Sequence, residues 1–260
     1  MKAEKSITRA ADIPEKEFNP YYTFENFVLG SNNRLALAAC IAIADKGYIR
    51  EYNPLFLYSG SGFGKTHLLH AVRQHILKEH PKKNVKYVSS ETFTNELVSA
   101  ILKKQIDEFR NQYRKSDILL FDDVQFISGK TATQEELFNT FNELYDAGKQ
   151  IIFTSDQPPW ELVDTPERLV SRLGQGLTVG IQPPDYETRV AILKNLSFLS
   201  GLKLTREVKE VLDVIAQNIT TNVRDLNGAF TRVTATSRLL DLPLDKELAK
   251  KVLADHSIDV

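Results

Sequence analysis

What the chain lacks narrows its possible roles first. Among its 260 residues there is one cysteine, Cys40. An intrachain disulfide is therefore impossible, and a thiol inside the apolar run Leu35 to Ala44 reads as a small core residue rather than a nucleophile. No stretch approaches the roughly 18 consecutive apolar residues that a membrane span requires. Met1 to Phe18 mixes charges of both signs and has no apolar block of the kind a secretory signal carries. A soluble, cytoplasmic protein is the expectation. Net charge is also scarce: 33 Lys and Arg against 34 Asp and Glu leave a formal −1. The molecule as a whole is thus no polycation drawn to nucleic acid, and any such contact must be a local patch or arise in an assembly. There is no internal repeat and no low-complexity tract.

What is there is apolar content, 42% of the chain, enough for one large domain or one with a small satellite. Residues 1 to about 18 read as a charged, flexible lead-in. Tyr21 to Val28 is rich in aromatics and is expected to pack or to line a pocket. Leu35 to Ala44 reads as a buried helix, with Ser31, Asn32 and Asn33 as candidate caps. Short apolar strands then alternate with helices. The strands are Leu55–Tyr58, Val85–Val88, Ile118–Phe121, Ile151–Thr154 and Leu177–Ile181. The helices are Thr66–Lys78, Ser90–Lys104 and Gln134–Ala147. In Ser90–Lys104 the residues Phe93, Leu97, Val98, Ile101 and Leu102 recur at helical spacing. Strands without polar alternation are buried on both faces, and helical crossovers make them parallel. The fold class predicted is α/β, a five-stranded parallel sheet sandwiched by helices. After Pro183-Pro184 only helices follow, at 187–200, 205–218, 223–240 and 245–254. We expect a sheet domain over 19–183 and a small all-α domain over 184–260.

Ser59-Gly60-Ser61-Gly62-Phe63-Gly64-Lys65-Thr66 lies between a strand and a helix, the context that a phosphate-cradling loop requires. Glycines let the backbone curl so that successive N–H groups face a phosphate, and the helix N-terminus adds a favourable dipole. Lys65 would reach the β- and γ-phosphates, and Thr66 would offer its hydroxyl to Mg²⁺. The strict pattern asks for glycine at position 59. A positive φ there would cost serine about 1 kcal/mol or somewhat more.

The strand at 118–121 ends in Asp122-Asp123. Carboxylates at the C-terminal edge of a parallel strand face the ligand crevice. Asp122 is placed to hold Mg²⁺, directly or through water, and Asp123 to accept a proton from an attacking water. A solvated turn is the plain alternative for the pair alone; the phosphate loop upstream favours the metal site.

Taken together, these motifs resemble the AAA+ ATPases. More narrowly, they resemble the AAA+ domain of the DnaA family of bacterial chromosome replication initiators. The phrases that carry the resemblance are Tyr22-Thr23-Phe24-Glu25-Asn26-Phe27-Val28, Tyr52-Asn53-Pro54-Leu55-Phe56, Gly64-Lys65-Thr66-His67-Leu68-Leu69, Tyr87-Val88-Ser89-Ser90-Glu91, Asp122-Asp123-Val124-Gln125-Phe126 and Ile181-Gln182-Pro183-Pro184-Asp185. Asn222-Val223-Arg224-Asp225-Leu226-Asn227-Gly228-Ala229 is similar to the family's lid motif. Coverage begins near Pro20. The resemblance implies that residues 59–67 hold ATP or ADP with Mg²⁺, that Val28 and its neighbours wall the base, and that hydrolysis is slow and acts as a switch. It makes Asp156 the sensor 1 residue and Arg224 the sensor 2 arginine. Arg172 becomes the finger offered to a neighbouring subunit's ATP, and Arg168 a weaker candidate for the same interface. Val98, Lys130 and Thr133 match positions that the family uses on single-stranded DNA. The partners implied are further copies of the chain in an ATP-bound filament, origin DNA, the replicative helicase or its loader, and acidic membrane phospholipids as regulators.

The chain departs from the family at Ala132, where an arginine is usual, at Gln157, where a basic residue is usual, and at Leu173-Gly174-Gln175, where aromatics are usual. The family's helix-turn-helix and N-terminal domains do not occur in this stretch, so an excised initiator core is expected. The alternatives are a short regulatory adaptor, a helicase loader of the same superfamily, and a site that binds ATP without cleaving it.

Overall fold

The computed structural model describes residues 19–254; the expected lead-in over 1–18 lies outside the described residues. Five parallel strands form one sheet in the order β2-β3-β4-β1-β5. They are β1 (Leu55–Tyr58), β2 (Val85–Ser89), β3 (Ile118–Asp122), β4 (Gln150–Ser155) and β5 (Leu177–Gly180). β3 and β4 are buried along their whole length. Their sequences show why: side chains alternate between the faces, and helices cover both. Leu119, Phe121, Ile151 and Phe153 pack on one side with residues of α3 (Ser90–Lys103), α4 (Ile106–Arg114), α5 (Thr131–Asp146) and α6 (Glu167–Gly174). Ile118, Leu120 and Ile152 pack on the other with α1 (Arg34–Lys46) and α2 (Lys65–Glu79). Cys40 sits in that second layer, fully buried, and burial pushes its thiol up to about 12. It is a core residue, as read from the sequence.

Two helices escaped the sequence reading. α4 carries Phe109 and Tyr113 and α6 carries Leu169 and Leu173, each an i, i+4 buried pair in an otherwise polar segment. Lys104, at φ 58°, breaks the chain between α3 and α4. A second correction concerns the apolar stripe on α3. Phe93 and Leu97 are buried, but Val98, Ile101 and Leu102 are 50, 53 and 79% exposed. The helix lays only its Phe93–Leu97–Ala100 edge on the sheet. A third concerns the caps of α1. Asn33 occupies the N-cap position without capping the helix. Its amide turns back to accept from Gly30 N–H and to donate to the Val28 carbonyl. Ser31 and Asn32 instead donate across the molecule, to Asp185 and to the Gln182 carbonyl.

The remaining helices are α7 (Tyr186–Leu199), α8 (Arg206–Asn218), α9 (Val223–Leu239) and α10 (Lys246–Ala254). They gather around a core of their own, with Leu193, Val211, Ile215, Leu226, Phe230 and Val233 at its centre. Side chains begin all four: Asp185 accepts from Thr188 N–H, Thr205 from Val208 N–H, Asn222 from Asp225 N–H and Asp245 from Leu248 N–H. Such caps occupy amide donors that a helix start otherwise leaves unpaired. The bundle touches the sheet layer through residues 26–32 and through the loop after β1. Asn195 donates to the Asn26 carbonyl, and Val223 N–H donates to the Gly62 carbonyl at 3.1 Å.

Candidate nucleotide-binding site

The sheet order leaves the C-terminal ends of β1, β4 and β3 side by side, where ligands of open α/β sheets bind. The loop after β1 runs from Ser59 to Gly64. Gly62 and Gly64 adopt φ of 81° and 95°, conformations open to glycine at no steric cost. Neither has room for a side chain: a β-carbon on Gly62 would meet Asn222, and one on Gly64 would lie 3.0 Å from the Phe27 ring. Ser59 is not among the positive-φ residues, so the strain expected for a non-glycine at that position does not arise. Its N–H donates to the Ser155 carbonyl and its hydroxyl to the Gly60 carbonyl. Phe63 lies over Gly60 and faces the apolar side of the cleft.

Lys65 opens α2. Its ammonium is 2.8 Å from the Ser59 carbonyl oxygen and 3.1 Å from that of Gly60, tucked under the loop. Burial lowers its pKa, and the carboxylates of Asp123, Asp122 and Asp156 oppose that shift. Three carboxylates and one further cation, Arg224, thus act on the Lys65 ammonium.

Asp122, 3% exposed, ends β3. Thr66 and Tyr87 donate hydroxyl hydrogen bonds to its Oδ2, at 2.8 and 2.9 Å, and Thr154 donates to Oδ1. Three donors on one carboxylate fix its orientation. Thr154 also accepts from Asp123 N–H at 2.8 Å. Asp123 itself has φ 57°, a left-handed conformation that costs a non-glycine residue about 1–2 kcal/mol. Thr154 and Ser90, whose hydroxyl donates to the Asp123 carbonyl at 2.6 Å, hold it there. Burial, and then the neighbouring Asp122 charge, raise the Asp123 pKa, against the opposing pull of Gln125, Lys65 and Arg224. Gln125 bridges the cleft. It donates to Asp123 Oδ1 and accepts from Asp156 N–H, which brings the end of β4 beside the acidic pair.

Arg224, in the first turn of α9, donates to the Ser61 hydroxyl at 3.0 Å and lines the cleft opposite Lys65. His67 is stacked on Tyr22 with ring centres 4.7 Å apart, and its Nε2 donates to the Thr23 carbonyl. Beyond it the cleft continues into an apolar cavity walled by Tyr21, Phe27, Val28, Phe63, Ile192 and Leu196, among others. The aromatic segment read at Tyr21–Val28 therefore does line a pocket.

The remaining expected residues lie elsewhere. Arg172 does not line this cleft; it is on α6, donating to Gln175 at 3.1 Å. Arg168, on the same helix, lies over the Phe138 ring and 3.5 Å from Glu135. Val98 and Lys130 are exposed on α3 and just before α5. Thr133 is 4% exposed, so its side chain offers a DNA strand almost no surface. Ala132, between them, is exposed. Sequence reasoning missed Tyr87, Thr154 and Gln125 as the groups that orient the acidic pair. The signal available was strand register: Phe121 pairs with Phe153, which sets Thr154 alongside Asp122.

Comparison with known proteins gives the chain a family. Residues 17–180 match the family described as the bacterial DnaA ATPase domain. The chain is 50% identical over 245 residues to the chromosomal replication initiator protein DnaA of Thermus thermophilus, covering 94% of this chain and 55% of that protein. It thus spans about half the length of the curated relatives it matches. Domain III of the Thermotoga maritima replication initiation protein DnaA superposes with a TM-score of 0.85 at 43% identity, over 91% of this chain and 97% of that one. A replication initiator DnaA bound to AMPPCP and single-stranded DNA superposes with a TM-score of 0.77 at 39% identity, over 90% of this chain and 68% of that one. The chain belongs to the DnaA family, and its parallel sheet and cleft are that family's AAA+ ATPase domain.

Proposed function

We propose that this chain is the ATP-controlled core of a chromosome replication initiator. It would divide near Pro183 into a sheet domain over 19–183 and a helical lid from 184 onward, described as far as residue 254, with ATP held between them. The observation that carries the reading is the convergence of Lys65, Thr66, Asp123 and Arg224 on one cleft, with Asp122 hydrogen-bonded to Thr66 behind it, and the continuation of that cleft into an apolar cavity. The phosphates would lie along loop 59–64 and the α2 N-terminus, where backbone N–H groups and the helix dipole favour negative charge. Lys65 would exchange its loop carbonyls for phosphate oxygens. The base would lie in the cavity lined by Val28 and Phe63.

The chemistry of the donors fits Mg²⁺. A small hard cation takes one or two protein oxygens and completes its shell with water and phosphate. A single carboxylate with a threonine hydroxyl, Asp122 with Thr66, is that kind of set. When bound, the ion would neutralise charge on the β- and γ-phosphates. Asp123 would take the proton of the attacking water; its raised pKa makes it a stronger base than an ordinary aspartate. Asp156 and Arg224 would register the γ-phosphate from β4 and from the lid. Arg224 links the lid to Ser61 already, so occupancy at the γ-position acts directly on the lid.

Arg172 has no role in its own cleft, which supports a role in a neighbour's: its permanent charge and forked donors suit a γ-phosphate reached in trans. ATP would then favour the assembled state by its differential affinity, and slow hydrolysis would end it. Single-stranded DNA would engage Lys130 through phosphate and Val98 through apolar contact. Thr133 would contribute through the backbone at the start of α5. Origin DNA, the helicase or its loader, and acidic phospholipids are further partners in this reading.

The test is nucleotide affinity of the wild type and of Lys65→Ala for ATP, ADP and GTP. Adenine-selective binding that falls about 100-fold or more in the variant, with unchanged thermal stability, is expected. Equal affinity in the two proteins would remove the loop from the site.

A further inference from the structure

The cleft has a middle that the roles above leave unassigned. Five residues line both the phosphate side and the apolar side: Tyr22, Gly64, His67, Val223 and Asn227. A nucleotide lying with its phosphates on one side and its base on the other must thread its sugar between them. Gly64 offers no side chain and Val223 only methyl groups. His67 spends Nε2 on the Thr23 carbonyl and one ring face on Tyr22. Asn227 is different. It is exposed, and no group among the described residues hydrogen-bonds its amide.

Its position is also fixed. Asn227 follows Arg224 by three residues and Val223 by four, so the three share one face of α9. That end of α9 is tied to the phosphate loop: Val223 N–H donates to Gly62, Arg224 donates to Ser61, and Asn222 caps the helix. A rise of ~4.5 Å along the axis separates Asn227 from Arg224. The lid therefore holds a charged group at the phosphates and, one turn on, a neutral group that both donates and accepts. An amide of that kind suits hydroxyls and has no charge to draw in a phosphate.

We infer that Asn227 reads the sugar of the nucleotide, hydrogen-bonding ribose hydroxyls and so favouring ribonucleotides over deoxyribonucleotides. This rests on the reading of the cleft as an ATP site. A contact that the deoxy sugar cannot make is lost together with the pairing of the group left behind, so discrimination of roughly tenfold is expected for an exposed amide.

The experiment compares the affinities of ATP, 2′-deoxyATP and 3′-deoxyATP for the wild-type chain, Asn227→Leu and Tyr22→Phe. The wild type is expected to bind ATP about tenfold more tightly than at least one deoxy nucleotide. Asn227→Leu is expected to bring the values within about twofold of each other by weakening ATP alone. The deoxy nucleotide's own affinity then shows that the site is intact. ATP binding with no sugar preference in the wild type would overturn the inference while leaving the ATP site standing. A preference that survives in Asn227→Leu and disappears in Tyr22→Phe would overturn it too, and would give the sugar to the phenol. Failure of all three nucleotides to bind the wild type would instead count against the ATP site.

Discussion

The acidic cluster at the end of β3 and the surface carrying Arg172, Lys130 and Val98 are built on opposite plans. Asp122 is nearly buried and takes hydrogen bonds from Thr66, Tyr87 and Thr154. Both of its oxygens are paired, and the three donors come from one chain. Among the described residues Arg172 hydrogen-bonds only to the neutral Gln175 side chain, and it lies outside the cleft. Val98 is half exposed and continues into Ile101 and Leu102, an apolar strip that an isolated chain leaves in water. The first plan specifies a ligand whatever else is present. The second acquires meaning when another molecule arrives. Substitutions should divide accordingly: changes in the cluster should alter single-chain readouts, and changes on the surface should alter only intermolecular ones.

The largest effect should come from Asp123→Asn, which keeps shape and removes the base. Hydrolysis under single-turnover conditions should fall about 100-fold, the scale of a lost general base, while ATP affinity stays within about twofold. In the wild type the rate should drop on the acid side. Because the Asp123 pKa is raised, that drop should begin above the usual carboxylate range. An unchanged rate in the variant would leave the cleft a binding switch without chemistry.

Arg172→Ala should be the converse. ATP affinity should be unaltered, and the protein concentration needed for ATP-dependent assembly should rise about tenfold or more, read by light scattering. A weakened monomeric site would place Arg172 in its own cleft and break the contrast between the two regions.

Thr154→Val should cost stability first. It removes a donor to Asp122 and the acceptor for Asp123 N–H, and leaving such groups unpaired in the interior costs about 1–3 kcal/mol each. Chemical denaturation should show the loss.

His70 makes a smaller, pH-dependent contribution. Burial, with the nearby charges of Arg73 and His67, lowers its pKa from 6.5 to about 4. The unfolded chain takes up a proton that the folded one refuses. Stability should therefore fall as pH drops from about 6.5 to about 4 and be indifferent to His70 outside that window. The loss is on the order of 3 kcal/mol. His70→Asn should flatten that slope.

Smallest is Lys130→Ala. Removing one phosphate contact should weaken single-stranded DNA binding a few-fold and reduce the salt slope by about 0.7, with no change in ATP affinity.

The cleft was legible in the sequence wherever chemistry is tied to local pattern. Glycines before Lys65-Thr66 and carboxylates closing an apolar strand both announce themselves within a few residues. The sheet was legible for a related reason: the apolar runs at the centres of β1, β3 and β4 are buried on both faces, so few polar positions interrupt them. What was hidden depends on distant pairings. Tyr87 and Thr154 meet Asp122 only through strand register, and Gln125 joins Asp123 to Asp156 only once β3 and β4 lie side by side. The Asn33 amide was read as a cap because its type and place suit one, but the return of the chain at Val28 claims it first. α4 and α6 were missed because two buried residues per helix make a weak periodic signal. The stripe on α3 was too generous, since spacing reveals which side chains share a face and not how much of that face is covered.

The central claim is that ATP, and not ADP, joins copies of this chain through Arg172. It is tested most directly by sedimentation of the wild-type chain with saturating Mg·ATP and with saturating Mg·ADP. The account predicts larger assemblies in ATP only, lost in Arg172→Ala. The same size in both nucleotides would contradict it.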